Sequence, residues 1–360
     1  MRMRRVIISG GGTGGHLFPA LVVGRKLAAR DPELLLTFVG SGREAERAIM
    51  ARHGASFVPM KIEGLKGRGL RSLRGLALLP GAFLRSLLLI VRLRPRLVVG
   101  VGGYSSGPIV LLAAVLGIPT IILEQNAGPG FTNRLLLRWV RKAVAAFDAS
   151  LPAFRGKAVA LGNPVRDEFY AVRPKPHGGR LSLLILGGSQ GSHFLNAAMA
   201  AALPRLAPHG ARLGFVHQTG AADRETIAAE YRRNGLDAAE VAAFFDGIAE
   251  RYAEADLLIS RAGATSCAEI IAARRASILV PFAGAADDHQ TRNARILEAA
   301  GGAEVVAQDG SATDRLVERI LHFLDHPGRL SEMERSLEPL RKPDAADRIA
   351  GLCFELMGVE

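Results

Sequence analysis

Val6-Ile7-Ile8-Ser9-Gly10-Gly11-Gly12-Thr13-Gly14-Gly15-His16 is the stretch whose reading decides the fold. A short apolar run of strand length gives way to glycines, and a helix-like segment, Leu17 to Ala29, follows. Strand, glycine loop and helix in that order gather backbone N–H groups and the positive end of a helix in one place. The first-turn N–H groups of a helix have no partner inside it, so an anion sits well there. Glycines let the backbone come close to a phosphate and take up positive φ. His16 stands at the exit of the loop, beside whatever anion is bound. Two familiar phosphate loops do not fit. A P-loop ends in Gly-Lys-Ser/Thr, and here the residues are Gly15-His16-Leu17. A dinucleotide site wants an acidic residue at the end of the next strand, and Leu34–Val39 ends in Gly40-Ser41-Gly42.

The opening recurs. Leu184-Ile185-Leu186-Gly187-Gly188-Ser189-Gln190-Gly191-Ser192 repeats the strand and glycine loop, and a helix-like run, Leu195 to Leu206, follows. A second copy weakens the view that the first is only a tight turn. Around the first copy, strands are expected at 5–9, 34–39, 56–60, 97–101, 120–123, 143–146 and 157–161. Around the second they are expected at 181–186, 212–218, 240–244, 257–260, 277–280 and 303–306. Helical stretches lie between them, and short, wholly apolar strands are those of a buried parallel sheet. The expected class is therefore α/β, two Rossmann-like, doubly wound parallel-sheet domains facing across a cleft, with ligands at the C-terminal ends of the strands. The turn-forming run Gly162-Asn163-Pro164-Val165-Arg166 sets the boundary, giving domains 1–162 and 163–343. A helical tail, 344–360, is expected to pack back onto the first domain.

Composition agrees. The chain has 360 residues, 49% of them hydrophobic, enough for two cores. Two cysteines, Cys267 and Cys353, cannot build a disulfide framework, which points to a reducing cytosol. Met1-Arg2-Met3-Arg4-Arg5 leads into an apolar run too short for a signal peptide. The net charge of +12 favours anionic partners.

Nine basic residues fall between Lys61 and Arg96, opposed only by Glu63 and interleaved with leucines. The longest uncharged run, Gly75–Leu84, is far short of the roughly 20 residues that span a bilayer. Some of these leucines belong in the core. The rest, rimmed with charge, suit a surface lying on anionic lipid, where each basic residue contributes roughly 1 kcal/mol. Binding of single-stranded nucleic acid would want aromatic platforms, and the stretch offers only Phe83, so no nucleic-acid partner is expected.

Other loops at strand exits carry polar side chains, and such positions serve ligands more often than cores. Gly102-Gly103-Tyr104-Ser105-Ser106-Gly107-Pro108 and Glu124-Gln125-Asn126-Ala127-Gly128-Pro129-Gly130 are two of them. In the second half, Ser260 to Glu269 runs from a strand into a helix, with Glu269 about one turn inside. A carboxylate there can accept two hydrogen bonds from a ribose diol while the helix start faces phosphate. The structural alternative is a capping-box glutamate with Thr265 or Ser266 as the cap. Asp287-Asp288-His289 lacks a third anchor, so no metal site is expected.

Taken together, Gly11 to His16, Gly102-Gly103-Tyr104, Glu124-Gln125-Asn126, Gly162 to Arg166, Gly187 to Gly191, Gly263 to Glu269 and Asp288 to Ala294 resemble, in this order, the MurG family of bacterial peptidoglycan glycosyltransferases. The likeness spans nearly the whole chain. It implies the GT-B fold and an inverting transfer of N-acetylglucosamine from UDP-GlcNAc to the C4 hydroxyl of the muramyl sugar of undecaprenyl-linked lipid I, giving lipid II and UDP. No cofactor and no active-site metal are implied. The resemblance also implies a role in cell-wall biogenesis, cell shape and division, a peripheral place on the cytoplasmic face of the plasma membrane, and contact with other cell-wall proteins. By position, the donor should meet Thr13, Gly14, Gly15, Asn126, Arg166, Ser189, Phe245, Ala264, Thr265, Ser266, Cys267, Ala268, Glu269 and Gln290. Glu269 would hold the ribose, and Ser189 a phosphate or the uridine. His16 is the candidate base, since a histidine titrates near working pH. Tyr104 and Glu124 are candidates on the acceptor side. Phe245 stands where an aliphatic residue is common in the family, and the loop Ala283–Asp288 is slightly longer than in some members. Related enzymes of the same fold, a glycolipid synthase or a UDP-GlcNAc 2-epimerase, are the alternatives.

Overall fold

A computed structural model of the chain describes residues 4–11, 14–60, 70–188 and 191–358. The chain divides into two compact units, one of residues 1–165 with 342–360, the other of residues 166–341. The sequence-derived boundaries, 162/163 and 343/344, lie within three residues of these.

The first unit is built on seven strands: β1 (Arg5–Ser9), β2 (Leu35–Gly40), β3 (Phe57–Pro59), β4 (Leu97–Gly100), β5 (Thr120–Glu124), β6 (Lys142–Ala145) and β7 (Ala158–Ala160). They lie in the order β3-β2-β1-β4-β5-β6-β7, and every pairing is parallel. Alternation along each strand feeds two cores. Val6, Ile8, Leu97, Val99, Ile121 and Leu123 pack on one face, and Ile7, Val98 and Ile122 on the other. With both faces covered the strands read as unbroken apolar runs. The first face is closed partly by the helix Ala345–Met357, whose Ile349, Ala350, Cys353 and Met357 join the core beside Val23 and Leu27 of helix Gly14–Arg30. Cys353 is wholly buried there, a small core residue.

The second unit has six parallel strands: β8 (Leu181–Leu186), β9 (Leu213–Gln218), β10 (Glu240–Ala242), β11 (Leu257–Ser260), β12 (Ser277–Leu279) and β13 (Ala303–Val305). Their order is β10-β9-β8-β11-β12-β13. Both sheets therefore reverse direction once, between β1 and β4 and between β8 and β11. At such a switch point the connections on either side run over opposite faces, and their diverging loops leave a crevice for a ligand. The two glycine-rich openings of the sequence follow β1 and β8, one at each switch point.

Helix Gly14–Arg30 begins three residues before the expected Leu17. His16 is therefore in the first helical turn and not in the loop. Helix His193–Leu206 likewise starts two residues early, capped by Ser192, whose Oγ accepts from the Leu195 N–H at 3.3 Å.

Candidate functional site

In the first unit three loops meet at the switch point. Gly103 is held against the glycine loop so closely that a methyl group on it would sit 2.3 Å from the Gly11 carbonyl oxygen, and its φ is +78°. Only glycine fits there. A methyl group on Gly102 would lie 3.3 Å from His16 Nε2 and 3.6 Å from Gln125 Oε1, so these two side chains line one side of the Gly102 turn. From the other side Glu46 binds the turn after β2. Its carboxylate accepts from Ser41 Oγ at 2.7 Å and from the Gly42 N–H at 2.8 Å.

Burial holds the His16 imidazole below its usual pKa, against the raising pull of the Glu124 and Glu46 carboxylates. The ring is therefore neutral at neutral pH, the state a proton acceptor needs. Its Nδ1 is buried without a hydrogen-bond partner among the described residues.

Glu124 stands at the end of β5. Its carboxylate accepts from Asn126 N and Nδ2 at 3.1 and 2.9 Å, from the Gly130 N–H at 2.8 Å and from Asn133 Nδ2 at 2.8 Å. Four donors occupy its lone pairs, which makes it the clamp of the 124–130 loop. Asn126 is part of that clamp. Tyr104 lies half-buried in the loop after β4. Thr13 is outside the described residues; Gly14 and Gly15 open the helix that carries His16.

In the second unit, helix Ala264–Ala273 starts from Gly263, which has no side chain to cap it. That removes the capping-box reading of Glu269. Glu269 instead faces Arg166, whose Nη2 is 3.5 Å from Oε1, while Nη1 of the same guanidinium is 3.0 Å from Glu168 Oε1. The Glu269 side chain is only 14% exposed. Burial raises its carboxyl to a pKa of about 7, and the Arg166 charge pulls the other way without winning. Such a poised carboxylate beside an uncapped helix start is equipped to accept hydrogen bonds from a polyhydroxyl ligand whose phosphate meets the helix. Ala264, Thr265 and Ser266 form the half-buried first turn; Cys267 and Ala268 point inward, Cys267 wholly buried with its thiol pushed up to about 12. That thiol is a packing group and not a nucleophile.

The remaining expected residues are placed less simply. The Phe245 ring is buried under the Arg251 guanidinium, 5.2 Å from its centroid, and its N–H donates to Gln218 Oε1 at 3.0 Å. The adjacent Phe244 is the exposed ring, at 52%. Gln290 lies in the first turn of helix His289–Ala299, where its Oε1 accepts from the Phe282 N–H at 2.9 Å and shapes the loop after β12. Ser189 lies outside the described residues.

Sequence reasoning passed over Arg261. It is 8% exposed at the exit of β11, and its guanidinium donates to Ser192 Oγ at 2.9 Å, to the carbonyls of Val280 and Pro281 at 3.0 and 3.3 Å, and to Gln308 Oε1 at 2.8 Å. One side chain thus ties together the loops leaving β8, β11 and β12 and the segment after β13. An arginine directly after a buried strand, inside an otherwise small-residue loop, was the available signal.

Two parallel α/β domains, each with a glycine-rich loop at its switch point and the second with a largely buried acid in the helix after β11, define a two-domain Rossmann-like fold. The match to family models is correspondingly extensive: residues 6–145 fit the glycosyltransferase family 28 N-terminal domain and residues 182–349 its C-terminal domain. The chain belongs to glycosyltransferase family 28. It is 43% identical over 357 residues to a protein of Anaeromyxobacter sp. (strain K) named UDP-N-acetylglucosamine–N-acetylmuramyl-(pentapeptide) pyrophosphoryl-undecaprenol N-acetylglucosamine transferase, covering 98% of this chain and 93% of that one. A relative of the same name from Syntrophus aciditrophicus is also 43% identical, over 98% of this chain and 99% of its own. Among solved structures, Acinetobacter baumannii MurG superposes with a TM-score of 0.79 at 30% identity, covering 98% of this chain and 99% of that one. A Neisseria meningitidis UDP-GlcNAc 2-epimerase, at 11% identity and a TM-score of 0.69, shares the fold.

Proposed function

We propose that the protein transfers N-acetylglucosamine from UDP-GlcNAc to the C4 hydroxyl of the N-acetylmuramyl sugar of lipid I, forming lipid II and UDP. The observation that carries this is identity of 43% across essentially the full length of relatives bearing that activity in their name. The epimerase alternative shares only the fold, at 11% identity.

In the proposed mechanism His16, neutral because it is buried, takes the proton of the acceptor hydroxyl as its oxygen attacks the anomeric carbon. The bond from that carbon to the UDP phosphate oxygen breaks on the opposite face, which inverts the centre. Helix starts and loop N–H groups neutralise the departing diphosphate, with no metal ion and no other cofactor required. The Glu269 carboxylate receives the ribose diol, and Arg166 keeps it oriented.

The membrane reading belongs to the same proposal. Helix Leu70–Leu93 buries Ala82, Ser86 and Ile90 and exposes Leu84, Leu87, Leu88 and Val91 beside Arg85 and Arg92. Exposed leucines flanked by cations suit the surface of an anionic bilayer, where a lipid-borne acceptor is reached without leaving the membrane. Residues 61–69 of the basic stretch lie outside the described residues. Among the described residues no helix is long and apolar enough to cross a membrane.

The test is UDP release from UDP-GlcNAc with and without a short-chain lipid I analogue, in the presence of EDTA. Release that depends on the analogue and yields a β-linked disaccharide supports the proposal. Release without the analogue, or equal use of UDP-glucose, refutes it.

A further inference from the structure

Gln125 follows β5 directly and is only 2% exposed, yet its amide Nε2 is buried with no hydrogen-bond partner among the described residues. Most buried side-chain donors in folded proteins are satisfied, because an unpaired one has exchanged water for nothing. The position is not a soft one in which the side chain could turn out to solvent. On its two sides Glu124 and Asn126 are locked together in the loop clamp, with Gly130 and Asn133 adding further donors to the same carboxylate. The strand exit thus turns Gln125 inward, where its amide nitrogen meets no acceptor among the described residues.

What lies beside it is the Gly102 turn and His16. The other end of the amide, Oε1, and His16 Nε2 flank the same face of Gly102, where the φ of +93° and the nearness of both side chains keep any larger residue out. Ser105, in that turn, also carries a buried hydroxyl with no hydrogen-bond partner among the described residues. A half-turn of the terminal amide exchanges its oxygen and nitrogen, so either end of Gln125 can be presented towards the histidine.

We infer that Gln125 is a substrate-contacting residue, whose amide N–H donates to an oxygen of the sugar or phosphate group that docks beside His16. The inference rests on the glycosyl-transfer reading above for the nature of that group. Binding would supply a partner that the described residues do not, so this donor becomes part of the affinity for substrate.

A Gln125→Met substitution tests this, since methionine keeps the length and removes the hydrogen bonding. A donor that is unpaired in the free protein predicts that the variant melts at the same temperature as the wild type, or higher. It also predicts that kcat/KM falls about tenfold, the order expected when a substrate's polar group loses its partner. A rise confined to the KM of the lipid I analogue assigns the contact to the acceptor, and one confined to UDP-GlcNAc assigns it to the donor; either supports the inference. Unchanged kinetics in both the Met variant and Gln125→Ala overturn it. So does a lowered melting temperature in the Met variant, the mark of a structural role. Wild-type protein that releases no UDP with the analogue would count against the glycosyl-transfer reading instead.

Discussion

Replacing Glu269 by glutamine should make the protein more stable and worse at binding its donor, and both effects can be worked from the structure. The carboxyl is 14% exposed and its nearest cation, Arg166 Nη2, stands at 3.5 Å, a long contact. Burial therefore dominates and lifts the pKa from 4.5 to about 7. A raised folded-state value means that the folded protein holds the proton more tightly than the unfolded chain. The resulting stability is complete below the unfolded value of 4.5 and is lost as pH rises through about 7. At 1.36 kcal/mol per unit, the charging penalty above pH 7 is about 3 kcal/mol. Glutamine never pays that penalty, but it weakens the hold on Arg166, so about 3 kcal/mol is a ceiling. For a unit of this size that is an increase of up to roughly 6–12 °C in the melting temperature at pH 8 and almost none at pH 5. Calorimetric melts at the two pH values read the stability. Titration with UDP reads the other half, where loss of a charged acceptor to the ribose should weaken binding by roughly ten- to a hundredfold. A variant that melts below the wild type at pH 8, or whose shift is the same at both pH values, would refute the reasoning.

Three further variants bear on the proposals. His16→Ala should lower kcat by roughly 10²–10⁴ while UDP-GlcNAc still binds in a calorimetric titration, and retained turnover would remove the base role. In the wild type, activity should fall on the acid side only below the ordinary histidine range, because burial keeps the ring deprotonated until then. Arg261→Met should lower the melting temperature and weaken UDP binding together, since it frees four acceptors in the loops around the second switch point; an effect on binding with unchanged melting would mean that the residue touches ligand directly. Leu84→Glu with Leu88→Glu, at positions 58% and 59% exposed, should abolish co-sedimentation with anionic vesicles while leaving the melting temperature within about 1 °C.

The strands were legible because parallel strands buried on both faces, such as Leu97–Gly100 and Leu257–Ser260, leave an unbroken apolar signature between glycine-rich turns. Strand ends moved by one or two residues, as at Glu240–Ala242, where the expected strand ran on to Phe244. There the Phe245 N–H donates to the Gln218 side chain of β9 and not to a backbone carbonyl of that strand, a contact that local pattern does not encode. The start of the helix bearing His16 was misjudged for a related reason. Glycines have poor helix propensity, so local pattern places the helix start after them, yet Gly14 and Gly15 are helical. Glu269 was readable as a helix-borne acid at a strand exit. That four donors within nine residues converge on Glu124, that Arg261 ties together segments far apart in sequence, and that the Gln125 amide nitrogen has no partner among the described residues were not readable, because each depends on how side chains meet in three dimensions.

The return of helix Ala345–Met357 to the first core also has a consequence during synthesis. Residues 166–341 are translated between the two parts of that core, so at roughly 5–20 residues per second the first unit waits on the order of 10–35 s for its last helix. Through that interval Val23, Leu27 and their neighbours lack the side chains that cover them in the finished protein. The second unit, drawn from one continuous segment, can complete its sheet on the ribosome. The second unit is therefore able to mature first. The half that bears His16 and the exposed leucines keeps an open apolar seam until that helix is made, a window in which chaperones or a membrane surface can shelter it.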